Sequence, residues 1–274
     1  MIDLHLHTTA SDGRCTPHEL VDRASRAGVT VMAVTDHDTV AAIPDVQSAA
    51  KACGIDVIAG IEITAIENGR DIHMLAYFLD PGDAQLAAFL GRQRTQRIMR
   101  VEALGVRLAQ LGMPIDIEPI LMHARKQVGR SVGRPQIARA MIAAGYVVDT
   151  GEAFDRWLAA GRPAFVPRTG TLPGEVIGIV HGAGGLASLA HPGQTDVDSR
   201  ISAYVQAGMD AIEVYHPDHD AAAIERYRHM ASRLNLLATG GSDFHGDADH
   251  GGEPGAVALP VEDWTRLRDA AAHA

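Results

Sequence analysis

This 274-residue sequence predicts an α/β fold interrupted by a helical insertion. Three observations carry the prediction. Short apolar runs with strand character alternate with segments of helical periodicity. An acidic residue or a histidine stands within or just beyond six of those runs. Between Asp80-Pro81-Gly82 and His191 this second pattern stops, and the chain becomes rich in Ala, Arg, Leu, Gln and Met.

The first run, Ile2-Asp3-Leu4-His5-Leu6-His7, alternates polar and apolar residues, so on a strand His5 and His7 share one face while Ile2, Leu4 and Leu6 share the other. Taken alone, that pair suits a metal chelate and an ordinary half-exposed strand equally well. Thr16 to Ala27 reads as a helix, with Thr16 as N-cap, Pro17 at its first position and Gly28 just past its end. A second strand, Val29 to Thr35, runs into Asp36-His37-Asp38, and a helix over Val40 to Cys53 follows. Glu62 lies inside a third strand, Val57 to Thr64, and Asp71-Ile72-His73-Met74-Leu75 begins a fourth apolar segment. Helical periodicity then marks Leu86 to Leu111, Gln136 to Ala144 and Gly151 to Ala160. Beyond the insertion, Pro173 to Gly182, Ser199 to Ala207, Ala221 to Leu234 and Val261 to Ala272 read as helices. They alternate with strands at Leu186 to Ala190, leading into His191-Pro192-Gly193, at Ala211 to Tyr215, and at Leu236 to Thr239, leading into Gly240-Gly241-Ser242-Asp243-Phe244-His245.

A core histidine or aspartate explains one such case; six require a common cause, because buried charge is costly unless paired or metal-bound. The pattern therefore points to a multi-metal site.

The set Asp3-Leu4-His5-Leu6-His7, Ser11-Asp12-Gly13, Thr35-Asp36-His37-Asp38, Gly60-Ile61-Glu62, His73, Ala190-His191-Pro192 and Ser242-Asp243-Phe244-His245 resembles the PHP (polymerase and histidinol phosphatase) family of metal-dependent phosphoesterases, in order along nearly the whole chain. The resemblance implies a distorted (β/α)7 barrel over residues 1–81 and 168–274, with the helical insertion of residues 82–167 capping the barrel mouth. It implies two or three divalent ions there. His5, His7, Glu62 and Asp243 would hold the first; Glu62 would bridge to a second completed by His73 and His191; Asp12, His37 and His245 would hold the third. Asp12 stands where the family's histidinol-phosphatase branch usually has histidine, which hardens the third site and favours Mn²⁺ or Mg²⁺ over Zn²⁺, with Fe another candidate. The implied chemistry is phosphate-ester hydrolysis by a metal-bound hydroxide, with Glu62 and Asp243 central and no serine or cysteine nucleophile. In substrate the chain is most similar to the 3′,5′-nucleoside bisphosphate phosphatase branch, which converts adenosine 3′,5′-bisphosphate to AMP. A related branch trims short 5′-phosphorylated RNA from the 5′ end. Histidinol phosphatase activity fits Asp12 less well, and a structural, non-catalytic PHP module fits poorly with nine filled ligand positions.

Composition narrows the rest. Net charge is −10 with histidines neutral, which disfavours broad electrostatic binding to nucleic acid or a membrane surface. Local charge can still be positive, because three divalent cations outweigh the carboxylates of Asp12, Glu62 and Asp243. Cys15 and Cys53, the only cysteines, read as reduced thiols. No long apolar stretch suggests a membrane span, and a ligand-bearing strand directly after Met1 leaves no room for a signal peptide, so a cytoplasmic enzyme with a small nucleotide or short RNA as substrate is expected, with no protein partner implied.

The insertion carries the densest basic cluster, Arg92, Arg94, Arg97, Arg100, Arg107, Arg125, Lys126, Arg130, Arg134 and Arg139. Most of these suit a solvated helix face. Arg94, Arg97 and Arg134 are the candidates for bidentate recognition of a second phosphate, with Arg168 a further one where the chain leaves the insertion. His216, just past the strand Ala211 to Tyr215, is a candidate substrate contact. Glu213 inside that strand suits either support of a ligand histidine or plain burial. The remaining histidines, His18, His123, His181, His219, His229, His250 and His273, read as solvent-facing or structural.

Overall fold

A computed structural model describes residues 1–126, 129–246 and 252–273; His250 lies outside them, and the side chain of His123 is not described. Seven strands, β1 (Ile2–Asp3), β2 (Val31–Val34), β3 (Asp56–Glu67), β4 (Arg70–Tyr77), β5 (Leu186–Leu189), β6 (Ala211–Tyr215) and β7 (Leu237–Gly240), lie side by side in sequence order. The sheet curls until its ends meet. The Leu4 amide donates to Gly240 O at 3.2 Å, the His7 amide to Phe244 O at 2.9 Å, and Leu6 bridges Phe244 in parallel. The result is a nearly closed barrel whose strands are mostly parallel, as the resemblance implied.

β4 departs from the parallel pattern. It pairs antiparallel with both β3 and β5, after a two-residue turn in which Asn68 and Gly69 both have positive φ, 53° and 75°. Asn-Gly is the pair that such a tight hairpin turn prefers, because both central residues must adopt left-handed backbone. Reversal of β4 carries its first half, rather than its end, to the mouth where the other strands finish. His73 lies in that half, opposite Thr64 of β3. The first strand is shorter than its alternation suggested: regular pairing covers Ile2 and Asp3, and the chain then runs on extended through His5 and His7 along the β7 loop.

Helices α1 (Pro17–Ala27) and α2 (Ile43–Lys51) flank the early strands. Thr16 caps α1 in a reciprocal box with Glu19, and Gly28 closes it in left-handed backbone, as the sequence predicted. The middle of the chain forms α3 (Ala84–Gln110), α4 (Glu118–Lys126), α5 (Arg134–Ala143) and α6 (Thr150–Ala153), which continues into a π-helical turn over Phe154–Leu158. The sequence reading had no counterpart for α4 and took α6 and the π turn as one helix. α3 serves two cores. Leu86, Phe89 and Leu90 in its first third pack into the barrel cluster, while Val101, Leu104 and Leu108 join Ile137, Met141 and Leu158 in a separate apolar cluster built within residues 98–166. One helix therefore joins the cluster within residues 98–166 to the barrel. Helices α7 (Pro173–Gly182), α8 (Ile201–Gln206), α9 (Ala221–Leu234) and α10 (Val261–Ala271) complete the outer layer. No helix among the described residues is long and apolar enough to cross a membrane.

Closure of the barrel leaves no room at Gly241. A Cβ there would press on the His5 amide nitrogen and come within 2.6 Å of Asp3 Oδ1. Gly241→Ala is expected to lower stability by about 1–3 kcal/mol or more, read as a fall in the urea midpoint; an unchanged midpoint would show that this closure contact yields.

Candidate active site at the barrel mouth

Glu62 is the hub. It is 1% exposed, and its Oε1 lies 2.8 Å from His73 Nδ1 and 3.0 Å from His191 Nε2. Oε2 lies 3.0 Å from His37 Nδ1, 3.3 Å from His7 Nε2 and 3.4 Å from His5 Nε2. Asp243 Oδ1 approaches His5 Nε2 at 3.1 Å and His7 Nε2 at 3.2 Å. Asp12 approaches His245 Nε2 at 3.3 Å and His37 Nε2 at 3.4 Å. All nine residues singled out from the sequence as metal ligands thus converge in one place.

Their donor chemistry fits cations. His7 Nε2, His37 Nδ1 and His73 Nδ1 are buried and form no properly directed hydrogen bond, although carboxylate oxygens stand 2.8 to 3.3 Å away. Close approach without hydrogen-bond direction is the signature of lone pairs aimed at a shared centre. Four groups have ligand atoms mutually close enough to hold an ion: His5-His7-Asp243, His5-Glu62-His191, His37-Glu62-His73 and His7-Asp12-His37-His245. In the last, Asp12 is joined by three imidazoles, so the group is less oxygen-rich than Asp12 alone suggested. Without cations the protonation pattern is discordant. Burial alone would lower His7, yet the contacts with Asp243 and Glu62 outweigh it and raise the ring to about 10, whereas burial takes His37, with its ring centroid 4.8 Å away, down to about 3. Neighbouring imidazoles hold Glu62, Asp12 and Asp243 well below the carboxylate range against the upward push of burial.

Other polar residues at the mouth brace these groups. Glu213 is fully buried; its Oε1 meets His5 Nδ1 at 2.9 Å and its Oε2 accepts the His191 amide at 2.7 Å. His5 therefore turns Nε2 toward Glu62 and Asp243. His191 itself has φ 24°, in the left-handed region, as do Asp38 and Asp243 at 52° and 49°. Strain of this kind persists where surrounding contacts over-determine it. Nδ1 of His216 accepts the Asp218 amide at 3.1 Å, which puts the ring proton on Nε2, 3.3 Å from Asp243 Oδ2. This histidine touches a candidate ligand and does not line the cavity described below. Asp3 and Asp36 are also braces. Asp3 accepts from the Ser242 amide and hydroxyl and the Gly255 amide, while Asp36 accepts from Thr8 and Ser11. Ser242 is committed to Asp3, with Oγ to Oδ2 at 2.6 Å.

A cavity of about 260 Å³ lies over the cluster. Glu62, His37, His73, His191, Asp12, Asp243 and His245 form its floor, and Arg97, Arg100, Arg134 and Arg168 form the facing wall. Two carboxylates that the sequence reading left unassigned organise this wall. Asp38 Oδ2 receives Arg97 Nε at 2.5 Å and lies 3.5 Å from Arg168 Nη2, which also donates to Gln93 Oε1 at 3.1 Å. Asp71 Oδ2 receives Arg100 at 3.1 Å and Arg134 at 2.9 Å. Burial would raise Asp71, but Arg134 and Arg100 hold it below the usual range, and burial brings Arg134 down to about 10. Arg94 is not on the wall; it donates to the Asp38 carbonyl at 3.3 Å. Asp38 directly follows His37 in sequence and Asp71 precedes His73 by two residues, but neither position by itself signals a place in the wall.

A barrel with clustered His, Asp and Glu side chains at its mouth and arginines facing them defines a metal-dependent phosphoesterase. The PHP domain model matches residues 3–124. A 5′-3′ exoribonuclease of Haemophilus influenzae is 34% identical over 248 residues, covering 89% of each chain. A 3′,5′-nucleoside bisphosphate phosphatase of Chromobacterium violaceum is 30% identical over 93% of this chain and 90% of its own. A solved structure from Bifidobacterium adolescentis, classed as a metal-dependent phosphoesterase, superposes with TM-score 0.88 at 32% identity over 97% of this chain and 94% of that one. The chain belongs to the PHP family.

Because Glu62 reaches five imidazoles, Glu62→Gln is expected to lower metal occupancy and abolish phosphoesterase turnover while leaving circular dichroism unchanged. Full metal content at an unaltered rate would remove Glu62 from the centre.

Proposed function

We propose that this phosphoesterase removes the 3′-phosphate of nucleoside 3′,5′-bisphosphates, converting adenosine 3′,5′-bisphosphate to AMP and phosphate. The observation that carries the reading is the pairing of two anion sites in one cavity. On the floor, His5, His7, Glu62 and Asp243 would hold a first ion, Glu62, His73 and His191 a second, and Asp12, His37 and His245 a third. Such ions supply Lewis acidity toward phosphoryl oxygens and lower the pKa of water, to about 7 in the best-studied case. On the wall, four guanidiniums stand against the carboxylates of Asp38 and Asp71, and the two positive charges left over match one phosphate dianion. A substrate with two phosphates on one sugar satisfies both sites at once. Residues 82–167, which supply Arg97, Arg100 and Arg134, act in this reading as the cap that selects it. The chain's own residues bind and orient: Arg134 and Arg100 hold the non-reacting phosphate, Arg97 and Arg168 are kept in place by Asp38 and Gln93, and His216 keeps its Nε2–H on Asp243.

A second reading has independent support. The H. influenzae relative is named a 5′-3′ exoribonuclease, and the 5′ end of a short RNA presents the same 5′-phosphate beside a 3′-phosphoester. Turnover of adenosine 3′,5′-bisphosphate measured beside 5′-phosphorylated oligoribonucleotides separates the two.

Two expectations follow from the geometry. A charge-assisted hydrogen bond is worth about 1.5–3 kcal/mol, so Arg134→Ala should cost about ten- to a hundredfold in kcat/KM on adenosine 3′,5′-bisphosphate and little on 3′-AMP. Equal losses on both would place Arg134 in support of the fold or of the reacting phosphate. Asp12, a harder ligand than the histidine usual at that position in the histidinol-phosphatase branch, favours Mn²⁺ in this reading even beside three imidazoles. A chelator-stripped sample should therefore regain more activity with Mn²⁺ than with Zn²⁺, and equal recovery with Zn²⁺ would refute the metal assignment.

A further inference from the structure

Beside the cavity lies a second chamber of about 310 Å³, lined by Gly69, Arg70, Asp71, Arg134, Ala160, Phe165, Gln194, Thr195 and Asp196. The two spaces share Asp71, Arg134 and Gln194, so the ion pair between Asp71 and Arg134 is the partition between them. Resting on the bisphosphate reading above, we infer that this second chamber is the subsite for the substrate's nucleobase.

Size requires a second space. At about 260 Å³ the first cavity is smaller than the roughly 300–1,000 Å³ of sites that enclose a whole drug-sized ligand. Two phosphates spanning floor and wall, with the sugar between them, leave the rest of a nucleotide to lie outside it, and the chamber adjoins at the wall.

Charge then decides what enters. The first cavity's wall has two positive charges in excess. In the second chamber Arg70 and Arg134 face Asp71 and Asp196, which leaves no net charge to attract a further phosphate. A neutral group fits there. Its shape and edges are those that a planar heterocycle uses. Phe165 offers a half-buried ring, with Arg100 5.7 Å over its centroid, Gly69 and Ala160 are too small to obstruct a flat ring, and Gln194, Thr195 and Asp196 supply both donors and acceptors. Bases outside a duplex are recognised in this way, by stacking on aromatic or guanidinium planes and by hydrogen bonds along their edges. One of these edge groups is held in place: the Gln194 side-chain amide donates to Asp218 at 2.6 Å.

The test compares adenosine 3′,5′-bisphosphate with ribose 3,5-bisphosphate, which carries both phosphates and no base. Ala160 is exposed and can be enlarged without disturbing the core, so Ala160→Trp should fill the chamber. The expected result is a rise in KM for the nucleotide of about five- to a hundredfold, the range that base stacking accounts for, with KM for ribose bisphosphate unchanged. Phe165→Leu should shift the nucleotide in the same direction by less. Equal effects on both substrates, or none on either, would overturn the base subsite while leaving the bisphosphate reading intact. Failure of the wild-type enzyme to hydrolyse either bisphosphate would instead overturn that reading, and the subsite with it.

Discussion

One buried carboxylate holds the mouth of this barrel together. Glu62 places its two oxygens within 3.4 Å of ring nitrogens on five histidines that arrive from four directions: His5 and His7 after β1, His37 after β2, His73 on β4 and His191 after β5. An arrangement of this kind is costly in a low-dielectric interior unless charge is balanced locally. The opposite directions in which their surroundings push His7 and His37 fit a site whose charge is balanced by cations. Divalent cations would supply that balance, and the remaining polar contacts of the mouth keep these side chains in position. Glu213 ties His5 to the His191 backbone, Asp3 ties the β1 extension to the loop carrying Asp243, and Asp36 ties the Thr8 to Ser11 turn beneath Asp12.

The reversal of β4 belongs to the same requirement. In a parallel barrel only strand ends and the loops after them reach the mouth. Glu62 and His73 instead lie within strands, on the two arms of the hairpin that Asn68 and Gly69 turn. That hairpin puts the bridging carboxylate and one imidazole on regular, hydrogen-bonded backbone, which holds a side chain more firmly than a loop does. It also brings Asp71 to the wall two residues before His73, on the same face of β4.

Much of this was legible in the sequence, for identifiable reasons. Ligands were visible because they are polar residues breaking apolar runs, and α1 because Thr16, Pro17, Glu19 and Gly28 each speak for the same helix. The direction of β4 was written in Asn68-Gly69 between two strand-like segments, a local signal that the assumption of a parallel barrel masks. Other features have no local signal. Asp3 and Asp36 resemble ligands in sequence, and only their hydrogen bonds mark them as braces. Arg94 and Arg97 are three residues apart on α3, yet Arg97 reaches the wall and Arg94 turns to a backbone carbonyl, a difference that spacing along the helix does not show. Asp38 and Asp71 gain their meaning from arginines that lie 29 to 130 residues away in the chain, so pattern alone could not assign them.

Charge bookkeeping over separate regions accounts for how an acidic chain handles anions. The −10 total includes carboxylates buried at the mouth, and the exposed remainder is screened by water and salt within about 10 Å. Inside the cavity screening is weak, and the local inventory governs: anionic ligands on the floor call for cations, and the wall holds more guanidinium than carboxylate. Asp38 and Asp71 limit that excess, which in the bisphosphate reading suits one dianion rather than a long polyanion. They also hold the arginines in fixed directions before substrate arrives, which reduces the ordering cost of binding. In the bisphosphate reading the carboxylates of the wall are therefore part of how phosphate would be recognised: they set both the amount of positive charge and the geometry in which it is presented.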